Sequence, residues 1–257
     1  MSNMSTLQQT ILKNKNNNLS VFFTAGFPTF ESTKEILAIL NTTNVDFIEI
    51  GIPFSDPLAD GPVIQHSSTI ALHNGMTLEL LFDQLKVIKD EVTKPYLLMG
   101  YLNSLLACGI ETFYRKCSEG GIHHIIIPDL PVNEYLEEHK TIADKYDVSP
   151  VFLITPSTSV ARIKEIDKIS KAFIYLVSGN TTTGNDSSIQ TEAIKKIQKM
   201  KLKNPLIIGF GIKNKADFSA ACKLGNGAII GSAFINMISG SNDIMNDIPE
   251  FINQIKD

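Results

Sequence analysis

Short apolar runs alternate with amphipathic stretches along the whole chain. The runs cover residues 20–24, 47–51, 96–99, 124–128, 151–154, 173–177, 206–209 and 228–230. Each is rich in Val, Ile, Leu, Phe or Tyr and poor in charge, so each reads as a strand buried on both faces. Between them lie stretches with helical spacing, at 32–40, 78–88, 110–117, 134–146, 160–169, 189–200 and 215–224, followed by 234–238 and 244–255. The stretch 78–88 sets Leu81, Phe82, Leu85 and Ile88 on one face of a helix. Strand then helix, eight times over and with no break in composition, predicts a closed α/β structure. It is a (β/α)8 TIM barrel forming one domain over residues 1–257. Extra helices are expected near 63–72 and, at the N-terminus, near 6–12. A doubly wound open sheet is the alternative.

Two connections after strands are long, one from Pro53 to about Gly61 and one from Ser178 to about Ser188. In a barrel the loops that follow strands gather at the catalytic face, and long ones there serve as lids.

Composition narrows the chemistry. The 257 residues carry a formal charge of −4, which excludes the basic face of a nucleic-acid binder. The two arginines, Arg115 and Arg162, fall outside the strand-following loops, so a bound anion must be held by backbone. Cys108, Cys117 and Cys222 match no zinc spacing, and their odd number argues against a disulfide framework. They read as inert thiols of a reducing cytoplasm. No apolar run approaches the length of a membrane span.

Glu49 lies in the middle of an apolar run, where an ionised and unpaired carboxylate costs several kcal/mol. It is either a satisfied structural carboxylate or a group aimed into the barrel mouth. The next segment, Pro53 to Pro62, is stiffened by prolines and offers Asp56 and Asp60. Asp56 before Pro57 suits a turn as well as a site. Asp60 before Gly61 suits a helix cap as well as a site. At the far end, Gly209-Phe210-Gly211 follows the seventh run and Gly231-Ser232 follows the eighth. Small residues there form either tight turns or the backbone phosphate site usual in barrels. No strand carries the lysine a Schiff-base aldolase needs. His66, His73, His123, His124 and His139 are not grouped as metal ligands and read as structural or exposed.

The segment Glu49-Ile50-Gly51-Ile52-Pro53-Phe54-Ser55-Asp56-Pro57-Leu58-Ala59-Asp60-Gly61-Pro62 resembles the signature of tryptophan synthase alpha subunits. Phe23-Thr24-Ala25-Gly26-Phe27-Pro28, Met99-Gly100-Tyr101-Leu102-Asn103, Ile127-Pro128-Asp129-Leu130-Pro131, Gly209-Phe210-Gly211-Ile212 and Gly231-Ser232-Ala233 follow the family pattern in order. The resemblance runs from about Leu19 to Ile238. It implies a lyase that cleaves indole-3-glycerol phosphate to indole and glyceraldehyde 3-phosphate in L-tryptophan biosynthesis, with no metal and no cofactor in this subunit. It implies Glu49 as the acid/base acting on the indole ring carbon and Asp60 as the partner of the indole N–H. Phe22, Leu98, Ile126, Leu153, Tyr175 and Phe210 would line the pocket. Thr183, Gly184, Gly211, Gly231 and Ser232 would meet the lid or the phosphate.

The second loop departs from the family: Ser178-Gly179-Asn180-Thr181-Thr182-Thr183-Gly184 stands where a Gly-Val-Thr-Gly-like stretch is common. The resemblance also implies a pyridoxal-phosphate-dependent beta subunit, in a cytoplasmic alpha2beta2 heterotetramer, contacted by the 53–56 loop, Asn103 and the 129–131 turn. Three other readings stand beside it. They are a stand-alone lyase of the same fold, a non-catalytic activator of a beta subunit, and a phosphosugar isomerase or aldolase.

Overall fold

The computed structural model describes residues 5–177, 186–209 and 211–256, the side chains of 186–191 and 193 excepted. Helix α1 (Thr6–Asn14) precedes strand β1 (Asn18–Thr24). Then come α2 (Ser32–Thr42), β2 (Phe47–Gly51), α3 (Pro62–His73), α4 (Leu78–Ile88) and β3 (Tyr96–Met99). Next are α5 (Leu102–Cys108), α6 (Ile110–Glu119), β4 (His124–Ile126), α7 (Val132–Glu134), a π-helical turn (Tyr135–His139) and α8 (Lys140–Lys145). The chain continues with β5 (Ser149–Pro150), β6 (Leu153–Ile154), α9 (Val160–Ile169), β7 (Ile174–Val177), α10 (Asp186–Lys199) and β8 (Leu206–Gly209). It ends with α11 (Lys215–Leu224), β9 (Gly227–Ile230), α12 (Ser232–Gly240) and α13 (Ile244–Lys256).

All strand pairs are parallel, in the order β5-β4-β3-β2-β1-β9-β8-β7-β6. The two ends of this order are neighbours in the chain. Val151 N donates to Ile125 O at 2.8 Å on one side, and Tyr175 N donates to Phe152 O at 3.0 Å on the other. Residues 149–154 therefore act as one stave, and the sheet closes into the expected TIM barrel with its helices outside. The fifth strand predicted at 151–154 thus begins earlier and is read as two pieces. The fourth stops at Ile126 rather than Pro128, because Leu130 N donates to Ile127 O and turns the chain. Helix α5 lies outside the stretches whose spacing predicts a helix.

Register fixes which side chains face inward. The rings of Phe47 and Phe173 meet with centroids 5.4 Å apart, and Ser20 Oγ donates to Glu49 Oε1. Ser20 pairs with Phe47, Phe22 with Glu49 and Thr24 with Gly51, so all six share the interior face. The interior set continues through Leu97, Met99, Ile126, Leu153 and Tyr175. Tyr96 has the opposite parity, and its hydroxyl donates outward to Gly120 O at the end of α6.

Below the barrel, Asp46 accepts from Leu19 N at 2.7 Å, and Lys256 Nζ lies 2.5 Å from it. One carboxylate thereby ties α13 to the start of β1.

Candidate active site

Glu49 is fully buried. Desolvation pushes its carboxyl up to about 8, and the hydrogen bond from Ser20 at 3.3 Å offsets only part of that rise. Its other oxygen, Oε2, is buried with no hydrogen-bond partner. Such a group holds its proton at neutral pH, because ionising it in an apolar setting costs more than one long hydrogen bond returns.

Gly51 is the next interior residue toward the mouth. A Cβ there would stand 2.5 Å from Phe22 Cζ, so the glycine lets the Phe22 ring lie across β2. Above it opens a cleft lined by Phe22, Gly51, Asp60, Ile64, Met99 and Tyr101, among others. Glu49 precedes Gly51 by two residues on β2 and pairs with Phe22, so it lies one interior layer below residues that line this cleft.

Asp60 reaches the cleft on the stiff segment before α3, whose first residue is Pro62. Desolvation raises its proton affinity, and a hydrogen bond from the Tyr101 hydroxyl at 2.9 Å opposes the rise. The same hydroxyl accepts from Ala59 N at 3.1 Å, and the Tyr101 ring stacks on Phe54 at 5.2 Å. Tyr101 thus holds both the carboxyl and the backbone of the loop that carries it. Asp56, in contrast, is exposed and accepts from the neighbouring Ser55 Oγ.

Tyr175 approaches from the far wall. Burial, and then the charges of Glu49 and Asp60, push its hydroxyl well up. It fits because Gly209 on β8 has no side chain: a Cβ there would stand 2.1 Å from the Tyr175 ring. Beyond β8 and β9, Gly211 takes a φ of +78°, a conformation open to glycine. Gly231 opens α12 with no side chain capping it, which leaves the first N–H groups of a nine-residue helix available to an anion. Ile207 pairs with Gly227, and Gly211 and Gly231 each follow that pair by four residues in the chain, past the ends of β8 and β9. Ser232 is exposed there.

The barrel therefore brings together Glu49, Asp60, Phe22 and Tyr175, and puts Ile126 and Leu153 on the same interior face. Leu98 is a correction. It pairs with Ile50, on the face opposite Glu49, and the cleft is lined by Met99 instead. Thr183, Gly184 and Phe210 lie outside the described residues, as does the second loop over 178–185; its expected end at 186–188 belongs to α10. Sequence reasoning missed Tyr101 and Ser20. Tyr101 stood inside a quoted motif. Ser20 carried one available signal, a hydroxyl on the strand adjoining Glu49. Of the histidines, His66, His73 and His123 are exposed. His124 and His139 are buried, and burial lowers both, His124 to about 3. Among the described residues no group of three or more His, Cys, Asp or Glu could hold a metal ion. No described helix is long and apolar enough to cross a membrane.

A family profile described as "Tryptophan synthase alpha chain" matches residues 8–256. The chain is 51% identical over 241 residues to the tryptophan synthase alpha chain of Flavobacterium johnsoniae, covering 93% of this chain and 94% of that one. It is 50% identical over 238 residues to that of Bacteroides fragilis, covering 91% and 90%. Its fold is similar to tryptophan synthase subunit alpha from Campylobacter jejuni, with a TM-score of 0.86 at 28% identity, over 98% of this chain and 100% of that one. It is also similar to a chain of the tryptophan synthase complex from Pyrococcus furiosus, with a TM-score of 0.84 at 30% identity, over 94% and 98%.

Proposed function

The chain belongs to the tryptophan synthase alpha chain family, and from that premise we propose that Glu49 and Asp60 are the acid–base pair of its lyase reaction. The activity is the alpha reaction of tryptophan biosynthesis. On this reading the substrate is indole-3-glycerol phosphate, with its ring in the cleft and its phosphate on the backbone of Gly211, Gly231 and Ser232.

Glu49 gives its proton to the ring carbon that bears the glycerol chain. The ring becomes an indolenine with positive charge on nitrogen, and Asp60 accepts the N–H and stabilises that charge. Glu49, now a carboxylate, takes the proton of the adjacent glycerol hydroxyl. The oxygen's electrons form the aldehyde, the carbon–carbon bond breaks, and its electron pair restores the indole ring. The two products are indole and glyceraldehyde 3-phosphate. The single observation that carries this reading is the fully buried Glu49, its Oε2 without a partner, below a cleft that Asp60 lines; that burial pushes its carboxyl up to about 8.

The proposal places the whole chain, 1–257, in one barrel domain of a cytoplasmic protein. No cofactor is assigned to it. Its partner is a beta subunit that carries pyridoxal phosphate, in an alpha2beta2 assembly. Exposed apolar side chains support a partner: Leu58 is 90% exposed between Pro57 and Asp60, which line the cleft, and Leu106 is 47% exposed on α5. The test is turnover of indole-3-glycerol phosphate by the wild type and Glu49→Gln, each with and without a beta subunit. A Gln variant that turns over at the wild-type rate sinks the assignment. A rate indifferent to the beta subunit favours the stand-alone lyase.

A further inference from the structure

Ser20 stands on β1, one strand over from Glu49 and two residues nearer the barrel floor than Phe22, the residue in register with Glu49. Two residues along a strand span about 6.6 Å. The Glu49 side chain therefore leans down along the interior wall to meet Ser20, and its carboxyl lies below the cleft. Ser20 is fully buried, and Glu49 is its only side-chain hydrogen-bond partner among the described residues. The bond uses one carboxyl oxygen, Oε1, and leaves Oε2 without a partner.

We infer that Ser20 is a positioning residue for the acid–base step: its hydroxyl holds Glu49 Oε1, orients the carboxyl, and leaves Oε2 as the oxygen that carries and delivers the proton. This rests on the assignment of Glu49 as the acid–base group. A hydroxyl suits both states of the cycle. It donates to Oε1 in both, as the carbonyl oxygen of the protonated carboxyl before transfer and as a carboxylate oxygen after it. Among the described residues no competing charge does that work from the surrounding elements. β1 presents Ser20, Phe22 and Thr24, and β3 presents Leu97 and Met99. Across the barrel stand Phe173 and Tyr175, the latter neutral because burial pushes its hydroxyl well up. Asp60 lies above, at the cleft, and His124 on β4 is kept neutral by burial. A hydrogen bond to the charged form favours it, so Ser20 lowers the proton affinity of Glu49, and its removal raises that affinity.

The experiment compares wild type with Ser20→Ala and with the isosteric pair Ser20→Thr and Ser20→Val. Glu49→Gln serves as the control. Two readouts are taken: pH profiles of kcat and KM for indole-3-glycerol phosphate, and infrared titration of the Glu49 carboxyl band, identified by its loss in Glu49→Gln. Loss of one hydrogen bond that strengthens as charge develops predicts kcat about 3- to 10-fold lower in the Ala and Val variants, with KM nearly unchanged. Their carboxyl titration moves to higher pH, and Thr restores both readouts. Thr and Val fill the same volume, so a packing effect moves them together and overturns the inference. Unchanged titration in Ala and Val overturns it too. A Glu49→Gln variant with full turnover overturns the functional assignment instead, while the infrared titration still reports on Ser20.

Discussion

Tyr175 and Gly209 meet across the β7–β8 pair so closely that a Cβ on Gly209 would lie 2.1 Å from Tyr175 Cε2 and 2.3 Å from its hydroxyl. The ring occupies the volume that any other residue at 209 would need. Tyr175 is also the group that senses both carboxylates, so the glycine has a catalytic consequence at one remove. Gly209→Ala is expected to drive the ring toward the cleft. Overpacking of this kind costs about 1–3 kcal/mol of stability. Turnover should fall further than that loss explains. Gly209→Ala combined with Tyr175→Leu should recover stability, as read by denaturant unfolding.

Tyr101 offers a second test. Its hydroxyl donates to Asp60 and accepts from Ala59 N. Tyr101→Phe keeps the ring stacked on Phe54 and removes only these bonds. Loss of the bond to Asp60 raises that carboxyl's proton affinity, because the bond favours the ionised form. Steady-state kinetics should show kcat/KM reduced about ten-fold, with the acid limb of the profile displaced to higher pH.

Glu49 also sets how stability depends on pH. Burial pushes its carboxyl up to about 8 in the folded chain, from its ordinary 4.5 in the unfolded one. Between those values the unfolded chain has released a proton that the folded chain retains. The wild type therefore loses stability as pH rises from about 4.5 to 8, and keeps its full share only below 4.5. Glu49→Gln removes this loss. Urea unfolding of the two proteins should give curves that diverge with rising pH, reaching a gap of a few kcal/mol near pH 8 in favour of Gln. A constant gap would contradict the raised proton affinity.

The barrel floor should bear on stability and leave activity alone. Asp46 ties Leu19 N to Lys256, and the side chains of Asp46 and Lys256 are 9% and 14% exposed. Asp46→Ala leaves a largely buried ammonium with the Asn44 carbonyl but without its counter-charge, at a cost of about 3 kcal/mol. Thermal unfolding should register that loss, while kcat and KM at a permissive temperature stay at wild-type values.

Much of this was legible in the sequence because the barrel's rules are local. Runs buried on both faces, separated by helical spacing, gave eight staves, and Glu49 was conspicuous as a charge in one of them. What was less legible is parity. Leu97, Leu98 and Met99 are equally apolar, so composition does not say which faces inward; only pairing with Ile50 and Gly51 places Leu98 outside and Met99 in the cleft. Strand five was blurred for a related reason, since Ser149 and Pro150 lack strand-like character yet pair with β4. Ser20 and Tyr101 escaped notice because their roles depend on side chains 29 and 41 residues away.

The central claim is that Glu49 enters the reaction carrying a proton. The direct measurement is the pH dependence of kcat for indole-3-glycerol phosphate cleavage, alongside infrared titration of the Glu49 carboxyl in the same protein. The account predicts that the rate falls as pH rises through about 8, and that the carboxyl band disappears over the same range. A carboxyl fully ionised by pH 6 in a protein that still turns over at its maximal rate would contradict it.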